Sequence, residues 1–188
     1  MGQFEVFFTF YSLILGLAAT EVLSSVGAFV RARPLRTVEI QSALLAFLTF
    51  LVICATWIDA WTARSNFKLT FTSMWAPIGA ATSYYLAAVV VLPRAPEDYE
   101  AMEAYFASRK RFVVGMLIAA ELFVKVTFLP HYVLSFLKEP DNFWWHSVPL
   151  NGGIMLLWIL LLVSRRRAFT ITLIAAQIAL FTVPYSFG

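Results

Sequence analysis

A chain of 188 residues that is 61% hydrophobic and only 13% charged, with a strongly positive mean hydropathy, would expose too much apolar surface to stay monomeric in water. Its formal charge of +3 does not point to nucleic acid, because the basic residues sit in small clusters beside apolar runs, where they govern orientation in a bilayer. Cys54, the only cysteine, falls inside an apolar run, which excludes an intramolecular disulfide, a Cys-x-x-Cys redox pair and a thiolate metal cage.

A helix of about 20 apolar residues crosses about 30 Å of hydrocarbon. Six such windows take up most of the chain, at 7–30, 41–61, 71–92, 112–129, 148–163 and 168–187. The pattern predicts an all-α integral membrane protein, a bundle of six transmembrane helices forming a single domain over 1–188, in contact with lipid throughout. Inside such spans each ionisable side chain costs about 2.5–3.5 kcal/mol at the bilayer centre, so these are the residues to ask about function.

The stretch before the first span lacks the basic n-region of a secretory signal, and its apolar run outlasts an h-region, so it reads as a retained span. That span carries Glu21 near its middle with no opposite charge within one turn. The carboxyl must be protonated, face water or find a partner on another helix, with Lys125 and Gln177 as candidates. Ser12, Gly16, Thr20, Ser24 and Ala28 recur every four residues, a shallow face expected to be buried against another helix, in this chain or in a second copy. In the second span Asp59 lies between Trp57 and Trp61 near the membrane boundary and reads as a solvated helix end. The third span repeats the small-residue row in Gly79, Ser83 and Ala87, with Pro77 inside it. Tyr84 and Tyr85 lie deeper than belt aromatics, so at least one hydroxyl is expected to meet a polar partner such as Glu21.

Residues 93–111 read as a short amphipathic surface helix on the cytoplasmic side. Glu97, Asp98 and Glu100 lie early, Arg109 and Lys110 late, and Tyr99, Met102 and Phe106 share one side. In the fourth span Glu121 and Lys125 stand one turn apart on one face, a pair that can act as a structural salt bridge or as a proton relay or gate. Pro130 is expected to end or kink this span. The only histidines, His131 and His146, flank the following junction. Haem or metal binding there is disfavoured, because axial histidines usually lie within spans and the loop offers only Glu139 and Asp141 as further ligands. Asn151, Gly152 and Gly153 open the fifth span and mark either a break or a close packing point. Gln177 sits near the centre of the sixth, where an amide more often ties helices together than binds substrate.

Orientation follows from the charges. Arg31, Arg33, Arg36, Arg94, Arg109, Lys110, Arg111, Arg165, Arg166 and Arg167 fall at the first, third and fifth junctions, against Arg64, Lys68 and Lys138 at the other two, which puts both termini outside. Glu21 and Glu121 each lie in the first span of a three-span half, as in inverted-repeat transporters, although the remaining spans align poorly. There is no Gly-x-Ser-x-Gly elbow, no Ser and His pair at matching depth and no Gly-rich phosphate loop, so enzymatic activity is not expected.

Phe10-Tyr11-Ser12, Gly16-Leu17-Ala18 and Thr20-Glu21-Val22-Leu23, with Tyr84-Tyr85-Leu86-Ala87-Ala88 and the region 93–105, resemble a group of small uncharacterised bacterial inner-membrane proteins with six predicted spans. The resemblance covers about the first two thirds of the chain and implies a bacterial inner-membrane location. It implies no activity. The residues themselves point to a small channel or transporter for protons or small ions, with Glu21, Glu121, Lys125, Gln177, Tyr84 and Asp59 as transport or gating candidates. The alternative is a non-catalytic subunit or assembly factor of a larger membrane complex, and the small-residue faces allow a homo-oligomer.

Overall fold

The computed structural model describes residues 2–32, 40–62, 64, 70–93, 102–138, 144 and 148–186. These form six long helices and no strand: α1 (Gln3–Ala32), α2 (Ile40–Thr62), α3 (Phe71–Val91), α4 (Met102–Lys138), α5 (Val148–Val163) and α6 (Arg167–Ser186). The first four contain segments long and apolar enough to cross a membrane, whereas the apolar runs of the last two, 148–163 and 167–182, are shorter. The architecture is that of a helical membrane protein.

Local signals set the helix starts. Glu5 reaches back to accept a bond from the Gly2 amide at 2.9 Å, half of a capping box. Thr70 and Ser73 make the full box on α3, each side chain bonding the other's backbone amide. On α1 the buried face runs Phe7, Tyr11, Leu15, Ala18, Val22, Ser25 and Phe29, an alternation of three- and four-residue steps that keeps one seam toward the core. Leu13, Leu17, Leu23 and Val30 point outward, which costs nothing where the surroundings are hydrocarbon.

Helix α2 is the hub. It packs against α1, α3, α4 and α6, and its buried residues Leu45, Leu48, Val52 and Ile53 face several neighbours at once. The most extensive interface joins α3 to α4, followed by α1 with α3, while α5 lies between α4 and α6. The two three-helix halves are built differently among the described residues: α1 packs broadly on α3, but α4 has no comparable contact with α6. That asymmetry gives the inverted repeat no support from packing.

Two small-residue rows that look alike in sequence part company here. In α3, Ala76, Ala80, Ala87 and Ala88 are fully buried, Ser83 donates to the Gly79 carbonyl at 2.8 Å, and a Cβ on Gly79 would lie 2.9 Å from the Phe123 ring of α4. In α1 the row is not covered. Gly16, Thr20 and Ser24 are exposed, Ser12 and Ala28 are half-buried, and a Cβ on Gly16 would meet nothing within 4 Å. The large-residue seam of α1 offers far more dispersion contact than the shallow row, so the helix turns that side to the core.

The expected surface helix is corrected too. Residues 94–101 lie outside the described residues, so Glu97, Asp98, Tyr99 and Glu100 are not placed, and Met102 to Arg111 are the first turns of α4 rather than a separate element. No Gly or Pro interrupts this stretch, and Tyr105 pins it by donating to the Val90 carbonyl at 2.9 Å, at the end of α3. Helix α4 also continues through Pro130, giving 37 residues, or about 55 Å, well beyond the thickness of the hydrocarbon core. Successive helices are antiparallel: Trp57 bonds Ser12, Tyr105 bonds Val90, and Lys110 bonds Ser164.

Candidate functional site

The sharpest polar feature lies between α4 and α5. One turn apart on α4, Lys125 Nζ and Glu121 Oε1 are 2.9 Å apart, with the lysine side chain 24% and the glutamate 12% exposed. Lys125 Nζ also donates to Asn151 Oδ1 of α5 at 2.7 Å, and the Tyr132 hydroxyl donates to the same oxygen at 3.4 Å. Four polar side chains thus form one connected run inside an apolar bundle. The lysine Nζ has both a carboxylate and an amide oxygen as partners, contacts of the charge-assisted kind. Neither charged side chain is fully covered by the bundle.

A second set of polar groups centres on Tyr84. Fully buried, the Tyr84 hydroxyl shares a 2.9 Å hydrogen bond with Thr56 of α2, and it lies within electrostatic range of Glu121, Tyr11 and Asp59. Tyr11 of α1 feels Asp59 in turn. Four helices therefore contribute polar groups to one region. Tyr84 takes Thr56 as its hydrogen-bond partner rather than Glu21, while Tyr85 faces outward. Asp59, read as a solvated helix end, is half-buried and belongs electrostatically to the Tyr11 and Tyr84 set.

Glu21 is half-buried on the flank of the α1 seam and interacts within the protein. Its two expected partners are engaged elsewhere: Lys125 with Glu121 and Asn151, and Gln177 with α5. Gln177 is fully buried and its Nε2 donates to the Ile154 carbonyl at 3.3 Å, tying α6 to α5. Its Oε1, the Trp158 indole N–H, and the Ser25 and Ser42 hydroxyls are buried with no hydrogen-bond partner among the described residues.

Asn151, Gly152 and Gly153 make neither a break nor a close packing point. Helix α5 is continuous through them, and a Cβ on either glycine would meet nothing within 4 Å. Asn151 matters instead as the acceptor for Lys125, and Tyr132 and Thr56 join the site without having been singled out by sequence. The signal was there for Asn151: an amide opening an otherwise apolar helix, at the depth reached by a lysine on the preceding one. His146 and the side chain of His131 lie outside the described residues. The described residues hold no group of three or more His, Cys, Asp or Glu able to bind a metal ion. Compared with known proteins, the chain matches no protein-family model, no curated protein and no solved structure.

Proposed function

We propose that this chain is a six-span protein of a bacterial inner membrane, with both termini outside, that moves protons or small ions along a path running through Glu121, Lys125 and Asn151. The observation that carries this reading is the connected, partly open run from Glu121 through Lys125 and Asn151 to Tyr132. A purely structural ion pair inside lipid is best sealed and saturated, whereas a relay needs a group that can change its protonation and still be reached. Protonation of Glu121 releases its hold on Lys125, which keeps Asn151. The nearby hydroxyls of Tyr84, Thr56 and Tyr11, with Asp59, extend the set of groups among which a proton can be passed. Six crossings are supported by α5, which lies antiparallel along α4 between the contacts Lys110 to Ser164 and Lys125 to Asn151 and so shares the depth of that long helix.

The test is flux. Full-length protein reconstituted into liposomes with an internal pH dye is expected to dissipate an imposed pH gradient, and Glu121→Gln to reduce the rate at least tenfold. Glu21→Gln is expected to slow it as well. Liposomes no leakier than protein-free controls, or an unchanged rate in Glu121→Gln, would defeat the proposal. The alternative, a non-catalytic subunit or assembly factor, is favoured by the uncovered small-residue row of α1, where a further helix can approach closely. It predicts silent liposomes together with a stoichiometric membrane partner retained on gentle purification.

A further inference from the structure

At the end of the bundle away from the α1 N-terminus, a buried lysine binds three helices together. Lys110, only 7% exposed, donates to the backbone carbonyl of Ser164 and to its Oγ, the latter at 3.0 Å. The Ser164 hydroxyl is 2.8 Å from Thr170 Oγ1 of α6 and donates to the Leu161 carbonyl of α5 at 3.0 Å. This node caps the C-terminal end of α5, where free carbonyls favour a cation, and it fixes the tight link from α5 into α6. It also joins two basic triplets that are remote in sequence, 109–111 and 165–167.

Lys110 is turned into the bundle, so the exposed charge of this end comes from the arginines, whose guanidinium stays ionised. Arg109, Arg111, Arg165, Arg166 and Arg167 are all exposed, and the first four make no ion pair among the described residues. Directly beside them the surface turns apolar: Phe112, Val163 and Phe169 are 43%, 58% and 46% exposed. An arginine rim on an apolar wall matches a molecule with a phosphate at one end and acyl chains at the other.

We propose that the arginines gathered around the Lys110 to Ser164 node hold the phosphate of an anionic phospholipid, its chains lying along Phe112, Val163 and Phe169. The guanidinium forks suit phosphate oxygens, and juxtamembrane basic clusters draw anionic lipid to them. A free anion would use the arginines but not the apolar wall. The inference needs a bilayer around the helices but no transport, so silent liposomes leave it standing.

The experiment is native mass spectrometry of the full-length protein in a zwitterionic detergent, titrated with phosphatidylglycerol or with phosphatidylcholine of the same chains. Phosphatidylglycerol is expected to be retained at least tenfold more tightly. The double variants Arg165→Gln/Arg166→Gln and Arg109→Gln/Arg111→Gln, at exposed positions and checked for unchanged helicity, are each expected to bring it down to the phosphatidylcholine level. Arg64→Gln, at the opposite end, is expected to leave it unchanged. Equal retention of the two lipids, phosphatidylglycerol binding untouched by both double variants, or its displacement by an equal concentration of inorganic phosphate would overturn the proposal.

Discussion

Lys125 has two oxygen partners of different kinds, and this fixes how the charged run should respond to substitution. Glu121 has the Lys125 ammonium as its ion-pair partner, and its side chain is only 12% exposed. Lys125 is the more exposed of the two and keeps Asn151 if the carboxylate is neutralised. Lys125→Met is therefore expected to lower stability by about 1–3 kcal/mol, less than stranding one member of a fully buried pair because both side chains are partly exposed, and Glu121→Gln by less. The double variant Glu121→Gln/Lys125→Met removes both charges and is expected to regain most of the loss, with a coupling of about 1–3 kcal/mol. Unfolding in mixed micelles by titration with a denaturing detergent measures all four corners. Strict additivity would mean that the two residues do not act as a pair. The pair itself could be read from one helix, because four-residue spacing alone brings the side chains together. Thr56 and Tyr132 could not, and Asn151 was marked only by its depth, because meeting across helices depends on the rotation each helix adopts, which many nearly equal apolar faces leave undetermined.

The two small-residue rows show what spacing reveals about a helix and what it does not. Both rows allow close approach, but only α3 uses it, with Gly79 against a Phe123 ring that Trp75 in turn holds edge-on at 5.6 Å. Gly79→Ala gains about 1 kcal/mol of helix propensity and meets a ring with little room to retreat, an overpacking cost of about 1–3 kcal/mol. A net loss of up to about 2 kcal/mol is expected, relieved when Phe123→Leu is added. Gly16→Ala meets no neighbour and is expected to be neutral or stabilising by up to about 1 kcal/mol. The same detergent titration compares them, and equal effects at the two sites would mean that α3 and α4 do not pack at this distance. What decided between the rows was the opposite side of each helix: α1 carries a seam of large residues that competes for the core, whereas the buried side of α3 is largely alanine. The beginning of α4 was misjudged for a related reason. Polar composition over 103–111 marks a change of surroundings, not a break in the backbone, and residues such as Ala104, Ala107 and Lys110 favour a helix on either side of that change.

At the scale of the whole molecule, antiparallel neighbours and short connections sort the described basic residues by end. Arg109, Lys110, Arg111, Arg165, Arg166 and Arg167 gather around the node that joins α4, α5 and α6, while Arg64 sits over the Trp61 ring beside Phe4 and Phe8 at the N-terminal end of α1. This separation was readable from the order of the charges, because a chain that reverses at every junction must alternate them between ends. The hub position of α2 was not, since its composition differs little from that of its neighbours and only the assembled contacts distinguish it. The charge difference between the ends makes orientation a sharp prediction. In a Cys54→Ala background, single cysteines introduced by Gly2→Cys and Arg64→Cys are expected to react with a membrane-impermeant maleimide on intact cells from which any outer barrier has been removed. Ser108→Cys, exposed at the arginine-rich end, is expected to react only after the membrane is opened. The reverse pattern would show that the basic end faces outward, against the rule that governs such clusters. Equal labelling of Gly2→Cys and Ser108→Cys on intact cells would be more damaging still, because two positions at opposite ends of an antiparallel bundle can share one side only if the bundle does not cross the bilayer.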